Sequence, residues 1–442
     1  MALSGLDIYK LLPKTNCRKC GFATCLAFAM QLAKKAVGID KCPYLSEETK
    51  NILEASSQPP IKLVTVGTGD SALQIGNETV MFRHEEKFHH PCGIGFILKD
   101  SLSPAELKTS LEKISRLNFE RVGQKLEVNL VALKQCGTAE KFIAALKTVQ
   151  AATALGIVLI SEDQAALKEA LQLVKDRKPL IFGATKKNYL ALGELAKEYN
   201  AGLVVCAGDL EEIAALTKEL SAKGAGELII DTGKKPLQQK LWDLTQIRRQ
   251  ALKKSNRALG YPVLAVAQND DPLREAVEAA TYISKYAGIV LVSGMDSWEA
   301  LSLLTLRQNI YTDPQKPLQI EPKVYPIGQV TEKSPVLITT NFSLSYYTVL
   351  GEVEASKVPT YIISIDTEGM SVLTAWAAEK FTPAKIADFL EKTGIRENLA
   401  HKRIVIPGYV AVMSGDLEDK SGWEVIVGPK EAAGIPAFLK KI

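Results

Sequence analysis

Between residues 60 and 310 one pattern repeats along the chain: a short, mainly apolar and β-branched run, then a longer stretch with helical period, then a Gly or Pro break. The short runs fall at 94–98, 128–133, 157–160, 179–182, 203–206, 228–231, 263–267 and 289–292. Runs that are apolar on both faces are what parallel strands covered by helices require. Eight such βα repeats at near-regular spacing predict a closed (β/α)8 TIM-like barrel, with an open doubly wound sheet as the alternative.

The pattern breaks near Pro314, Pro317, Pro322 and Pro326, where four prolines read as a linker. Beyond it, apolar runs at 336–339, 360–365, 403–406 and 424–427 alternate with helical stretches and predict a small, Rossmann-like parallel α/β sheet. The expected organisation is a cluster domain at 1–58, the barrel at 59–315, a linker at 316–330 and an α/β domain at 331–442. This agrees with a length of 442 residues, which implies two to four domains.

Composition narrows the picture only a little. Hydrophobic residues at 46% and charged residues at 24% are the balance of a globular protein. Lys and Arg total 54 against 50 Asp and Glu, and a net charge of +4 makes no basic field for nucleic acid. The segment from Met1 to Leu12 holds Asp7 and Lys10 and lacks the apolar stretch of a secretory signal, and no run reaches membrane-spanning length. A cytoplasmic location is therefore expected, and with it reduced thiols.

Four of the seven cysteines sit together: Cys17, Cys20, Cys25 and Cys42, spaced C-x2-C-x4-C-x16-C, with Pro43 directly after. Two short spacings and one long one let four thiolates converge on a 4Fe-4S cluster. Thr24 is placed to cap a helix that starts at Cys25 and runs towards Gly38, so that helix-terminal N–H groups face the anionic cluster. Structural zinc and buried free thiols are the rival readings. Zinc sites tend to pair two short knuckles, and only one is clean here; Asn16, Arg18, Lys19 and Lys41 surround the thiols with polarity foreign to a core.

The remaining candidates carry less. Strand ends in the barrel offer Lys134 with Gln135, Ser161 with Glu162 and Asp163, then Asp231, Asn269 with Asp270 and Asp271, and Ser293, and these make no recognisable catalytic set. Glu162, Asp163 and Asp271 fit helix caps better than catalysis. The segment His84 to Cys92 holds three of the four histidines but no regular ligand spacing, and reads as a polar crossing into the barrel more readily than as a metal site. Cys136 and Cys206 read as packing residues, and Gly67-Thr68-Gly69 as a turn.

In the last domain the strand ends are rich in small and hydroxyl residues: Thr339-Thr340-Asn341-Phe342-Ser343, Asp366 to Ser371, Pro407-Gly408-Tyr409 and Gly428-Pro429. Glycines admit close backbone approach to a flat ligand, and Ser, Thr and Asn bond peripheral amides without adding charge; ordinary turn chemistry explains the same residues.

The segment from Leu12-Pro13 through Cys42-Pro43 resembles the amino-terminal cluster domain of the large (gamma) subunit of the corrinoid iron-sulfur protein, from the acetyl-CoA synthase / CO dehydrogenase system. Ile338 to Leu344, Ile406 to Ala411, Trp423 to Pro429 and Gly434-Ile435-Pro436 resemble the corrinoid-binding domain of the same subunit, and the likeness runs through the chain in module order. The resemblance implies a 4Fe-4S cluster on Cys17, Cys20, Cys25 and Cys42. It also implies a cobalamin-type corrinoid held by the loops at Thr340, Asn341, Ser343, Gly369, Ser371, Thr374, Gly408 and Gly428. The Asp-x-His-x-x-Gly loop by which many cobalamin proteins ligate cobalt is absent, and the one late histidine, His401, precedes Lys402 and Arg403, so a base-off corrinoid is expected.

The same resemblance implies a methyl carrier of the reductive acetyl-CoA (Wood-Ljungdahl) pathway of carbon fixation. Cobalt in its Co(I) state would accept a methyl group from methyltetrahydrofolate through a methyltransferase and deliver it to the nickel site of acetyl-CoA synthase, and the cluster would return an electron to oxidised cobalt. As a component of a methyltransferase system it needs no catalytic side chain of its own. Expected partners are a small subunit in a heterodimer, the methyltransferase, acetyl-CoA synthase and a redox activator, with no nucleic acid and no membrane. The competing reading is an iron-sulfur electron-transfer or redox-activator protein without a corrinoid. A barrel methyltransferase in its own right is the third.

Overall fold

The computed structural model describes residues 4–33, 36–47, 49–50, 53 and 59–442. They fall into two compact units, Met1–Phe119 with Leu126–Tyr311, and Glu120–Lys125 with Thr312–Ile442. The boundary expected at residue 58 lies against residues 54–58, outside the described ones. Among the described residues no helix is long and apolar enough to cross a membrane.

The first unit opens with helix Gly5–Leu11, whose start is a capping box. The Ser4 hydroxyl accepts from Asp7 N at 3.2 Å while the Asp7 carboxylate accepts from Ser4 N at 3.3 Å. After helix Cys25–Ala33 comes an antiparallel hairpin, β1 (Val64–Val66) and β2 (Leu73–Ile75), that the apolar pattern did not announce because its strands are only three residues long. Then come β3 (Gly93–Lys99), a short two-stranded ribbon of β4 (Asn118–Arg121) and β5 (Gln124–Glu127), and β6 (Leu130–Lys134). The βα repeats continue through β7 (Gly156–Ile160), β8 (Leu180–Ala184), β9 (Gly202–Cys206), β10 (Leu228–Asp231), β11 (Val263–Val266) and β12 (Ala287–Val292).

Strands β3 and β6 to β12 form a closed parallel barrel, sealed where β12 pairs with β3 from Ile289↔Gly93 to Val292↔Phe96. Closure excludes the open sheet. Each strand splits its side chains between two cores, as the two-residue alternation of a strand demands. Phe96, Val131, Leu133, Ile157 and Leu159 face the helices, while Ile97, Leu130, Ala132, Val158, Leu180, Val204, Ile229 and Leu264 fill the interior. Val64, Val66, Leu73 and Ile75 join that interior. The hairpin therefore plugs the amino-terminal end of the barrel. Gly93, which opens β3, leaves room for the hairpin: a Cβ would stand 2.3 Å from Leu73 Cδ2, which would have to shift.

The histidine-rich segment is held by a buried ion pair. Glu78, 7% exposed, accepts from His89 N at 2.9 Å and His90 N at 3.1 Å. Arg248 donates to Val80 O at 3.0 Å, lies 3.5 Å from Glu78, and sits between the rings of Phe88 and Tyr286. Breaking such a buried pair strands its other member in a low dielectric. His90 Nδ1 is 2.8 Å from Gly76 O, His89 Nε2 is 3.2 Å from Glu86, and His84 stacks on Phe82, so the three imidazoles have different partners. Asp163 and Asp271 cap their helices, accepting from Ala165 N at 2.9 Å and Leu273 N at 3.0 Å, and Glu162 is exposed. Cys206 is half-buried inside the barrel, whereas Cys136, read as packing, is exposed: β6 ends at Lys134 and Cys136 lies in the loop beyond.

The second unit is a five-stranded sheet in the order β13-β15-β14-β16-β17, with β13 (Val324–Ile327), β14 (Val336–Thr340), β15 (Thr360–Ile365), β16 (Arg403–Ile406) and β17 (Glu424–Val427). All neighbours are parallel except β13, which pairs antiparallel with β15 from Val324↔Ile363 to Ile327↔Thr360. This corrects the linker expected at 316–330. Pro326 sits opposite Tyr361 on an edge strand, where a missing N–H is harmless, and the four prolines disguised a strand as a spacer. The stretch before β13 is anchored too, with Ile320 N donating to Asn341 O and Ser343 N to Leu318 O, both at 3.0 Å.

Above β12 lies a buried carboxyl with nothing to bond. Glu299 is 1% exposed and neither oxygen has a hydrogen-bond partner, whereas its neighbour Glu275 accepts from Ser293 N at 2.9 Å and Gly294 N at 2.8 Å. Burial first, and then the charges of Glu275 and Asp296, push the Glu299 carboxyl up to about 7 from an ordinary 4.5. The protonated form is the one the fold favours, so this group's contribution is intact below the unfolded-state value and is lost as pH rises through about 7. Glu299→Gln should flatten the fall in stability between about pH 5 and about pH 8 seen in urea unfolding. Parallel pH curves for the two proteins would count against this account.

Candidate functional site

The cysteine segment builds a loop suited to an anion. Lys14, Asn16, Arg18 and Gly21 all have positive φ, at 57°, 47°, 63° and 85°. Four left-handed residues within eight positions make a tightly turned loop, and its backbone bends around the first two thiols. Lys19 N–H already points at the Cys17 thiol and, with the Thr15 hydroxyl, holds it below the ordinary thiol range against partial desolvation. The helix starts at Cys25 as the sequence indicates. Thr24 Oγ1 accepts from Ala27 N at 3.1 Å, and Asn16 Oδ1, which sequence reasoning overlooked as a cap, accepts from Cys25 N at 2.8 Å. Residues 34 and 35, on the expected path towards Gly38, lie outside the described residues.

Cys25 and Cys42 are buried in a small core with Ile8, Leu12, Phe28 and Leu45, Cys20 packs against its edge, and Cys17 is exposed. Three of the four thiols therefore share one side of the segment, but among the described residues no three Cys, His, Asp or Glu side chains lie close enough to hold a metal ion. The fit to an anionic cluster therefore rests on the chemistry of the four thiols, of which Cys17 is already held towards its thiolate form.

In the second unit the chain order reverses at β14, which has β15 on one side and β16 on the other. At such a switch point the crossovers leave on opposite faces and a crevice opens beyond the strands' carboxyl ends. A pocket of about 370 Å³ occupies that place, lined by Ile338, Thr339 and Phe342 from β14 and its exit, Ile406, Pro407 and Tyr409 from β16, Gly428 to Lys430 after β17, and Ser371 to Leu373. Ser345 and Thr348 of helix Ser343–Ser356 close one wall. Two loops meet backbone to backbone beneath it. Gly408 N donates to Pro429 O at 3.1 Å, and a Cβ on Gly408 would lie 2.6 Å from Gly428 O.

The expected cofactor residues divide by role. Ser371 and Gly428 line the pocket. Thr374 Oγ1 lies 3.0 Å from Ser371 Oγ, one helical turn away. Thr340 and Ser343 are buried directly behind the pocket's β14 wall, and their hydroxyls, like that of Ser364 on β15, have no hydrogen-bond partner. Asn341 is a clasp: its Oδ1 accepts from Thr367 N, Thr367 Oγ1 and Gly369 N at 2.9–3.0 Å, and its Nδ2 donates to Gln319 and Asp366, both at 3.2 Å. Gly369, at φ 74°, turns the loop that Asn341 holds.

Sequence reasoning missed the apolar half of this site. Phe342, Leu344, Val372, Leu373 and Pro407 line it, and Leu344, Leu373, Tyr409 and Val412 stay 45–77% exposed around it. Large apolar side chains left in water at one edge mark a surface that something covers; in the sequence they look like ordinary core positions. His401 is not among them. It precedes β16, at the opposite edge of the sheet, with Nε2 3.1 Å from Ser334 O and Nδ1 accepting from Arg403 N at 3.1 Å.

Comparison with known proteins matches residues 63–439 to the CO dehydrogenase/acetyl-CoA synthase delta subunit family and residues 12–44 to an Fe-S cluster family. A corrinoid/iron-sulfur protein large subunit from Moorella thermoacetica is 47% identical over 100% of this chain and 99% of its own length. An acetyl-CoA decarbonylase/synthase complex subunit gamma from Methanothermobacter thermautotrophicus is 37% identical over 100% of this chain and 99% of its own. Among solved structures, a dihydropteroate synthase from Thermus thermophilus covers 56% of this chain and 100% of its own at 14% identity with a TM-score of 0.40. By full-length identity and by the match over 63–439, this chain belongs to the family of corrinoid/iron-sulfur protein large subunits and acetyl-CoA decarbonylase/synthase gamma subunits.

Proposed function

We propose that this protein is the methyl carrier of an acetyl-CoA synthase system, with an iron-sulfur cluster in its amino-terminal segment and a base-off corrinoid in its second unit. The observation that carries the proposal is the crevice at the β14 switch point, apolar-lined, rimmed with exposed apolar side chains and backed by buried hydroxyls without partners.

A corrinoid presents a flat apolar face and a rim of amides. Phe342, Val372, Leu373 and Pro407 would take the face, and the glycine-bearing loops at Gly408 and Gly428 let backbone groups come close to it. Ser345, Thr348 and Ser371, which line the pocket, would meet the amides. Ser371, Gly369 and Thr374 belong to the same edge, with Asn341 positioning their loop. When bound, the cobalt supplies a nucleophile that takes a methyl group from methyltetrahydrofolate on a methyltransferase and releases it to the nickel site of acetyl-CoA synthase. His401, engaged at both ring nitrogens on the far edge, would not reach the cobalt as an imidazole donor, the axial lever by which a protein sets a metal's potential.

Cys17, Cys20, Cys25 and Cys42 would hold the 4Fe-4S cluster, whose chemistry is to return one electron to the cofactor after accidental oxidation. The Lys19 N–H that already bonds the Cys17 thiol would help to stabilise the cluster's negative charge. No side chain of this chain needs to move a proton, because the cofactor performs the transfer and the partner enzymes position donor and acceptor. The chain is thus one component of a methyltransferase system. A small subunit would complete a heterodimer, and a redox activator would serve the corrinoid.

Protein purified without oxygen should contain about one cobalt and about four irons per chain, with corrin bands above the broad cluster absorbance. A protein with iron but no cobalt, showing no corrin bands after reconstitution with cobalamin, would leave only the electron-transfer reading. The two sites should also separate by mutation. Cys25→Ala should lose iron and keep cobalt, whereas Gly408→Val, whose side chain meets Gly428 O, should keep iron and bind corrinoid at least about tenfold more weakly. Loss of both metals in either variant would point to misfolding and not to separate sites. Finally, His401→Ala should leave the cobalt absorption and electron paramagnetic resonance signals unchanged; a shift in either would make the imidazole a ligand after all.

A further inference from the structure

The barrel has a second cavity, at the end opposite the plugging hairpin. It measures about 1140 Å³ and opens at the carboxyl ends of the strands, where enzymes of this fold bind their ligands. Its floor is apolar, made by Ile97, Ile160, Phe182 and Val266. On that floor stand two lysines.

Lys99 ends β3 and Lys134 ends β6, and the two are direct partners in the strand register. Ile97 and Ala132, two residues earlier on the same strands, point into the barrel, so strand alternation turns both lysines inward as well. Lys134 pairs on its other side with Ile160, which carries no charge. Like charges placed directly opposite across two strands repel, and among the described residues neither ammonium has an ion-pair or hydrogen-bond partner. An anionic group seated between them removes the repulsion and receives two charge-assisted hydrogen bonds.

The far wall is built to add to this. In the closed ring β10 lies across from β6. The loop after β10 is locked by two ion pairs, Lys240 to Asp231 and Lys235 to Asp243, each at 2.5 Å, and Gly233 N bonds Asp231 at 3.1 Å. Those pairs neutralise Asp231 and Lys235 and leave Lys234 exposed at the cavity lining. Two acidic groups also line the mouth, Asp270 and Glu278, the latter accepting from Asn269 Nδ2 at 3.2 Å; both lie by β11, away from the lysine pair.

We infer that the barrel mouth is a binding site for a small organic anion, its carboxylate or phosphate group held between Lys99 and Lys134 and its apolar body on Ile97, Ile160 and Phe182. The site is in the first unit and is independent of the corrinoid reading.

Calorimetric titration of the intact holoprotein at constant ionic strength tests it, with inorganic pyrophosphate and succinate as separate probes. Saturable binding of about one molecule per chain is expected, weakened at least about tenfold in Lys99→Met/Lys134→Met and retained in Lys99→Arg/Lys134→Arg. Lys108→Met, on the exposed face of helix Pro104–Ser115, should bind as the parent does. A preference for pyrophosphate assigns phosphate as the native group, and a preference for succinate assigns carboxylate. Failure of both probes to saturate, or equal affinity in the double Met variant, overturns the site.

Discussion

A strand parallel to its neighbour is reached only by a crossover that carries the chain back to the starting edge, and that constraint organises both units. It gathers all carboxyl ends of a sheet at one edge and all amino ends at the other. In the barrel the amino edge is filled by the β1–β2 hairpin, whose Val64, Val66, Leu73 and Ile75 complete the interior core, so the large cavity opens at the carboxyl edge. In the second unit the same rule, combined with the change of direction at β14, leaves a crevice between the exits of β14 and β16. Site residues scattered over more than ninety positions of sequence, from Thr339 to Lys430, meet there because they all terminate parallel strands or follow them.

Within those edges, satisfaction of polar groups separates scaffold from site. Asn341 accepts three hydrogen bonds and donates two, and Asp231 and Lys240 neutralise each other, so these buried polar groups hold loops in place. Thr340, Ser343 and Ser364 are as deeply buried but have hydroxyls without a partner. A buried polar group without a partner is unfavourable by about 1–3 kcal/mol, so these three positions cost the fold what the Asn341 clasp avoids. The two lysines on the barrel floor express the same logic through charge.

Histidine illustrates how placement overrides residue type. Three of the four imidazoles lie around the Glu78–Arg248 pair at the plugged end of the barrel or beside it, bonded to Gly76 O and Glu86 or stacked on Phe82. The fourth, His401, is tied at both nitrogens on the edge of its sheet away from the crevice. Under the proposed reading, an imidazole tied up away from the pocket matters as much as the residues that line it.

The sequence by itself determined the parts that depend on short-range order. The eight apolar runs became the eight barrel strands, the four later runs became four parallel strands, and Thr24 capped the helix that begins at Cys25, because alternation, burial and capping act over a few residues. It also carried the cysteine spacing and the family likeness. Only the tertiary structure decided that the proline-rich stretch around Pro326 is an edge strand, that Asn341 clasps a loop, and that Leu344, Leu373 and Tyr409 stand in water around a pocket. It alone set Lys99 beside Lys134 and turned residues 14, 16, 18 and 21 into the left-handed region. Each of these depends on which strand lies next to which and on backbone angles set by the surrounding fold, and neither is written in the local pattern of apolar and polar residues.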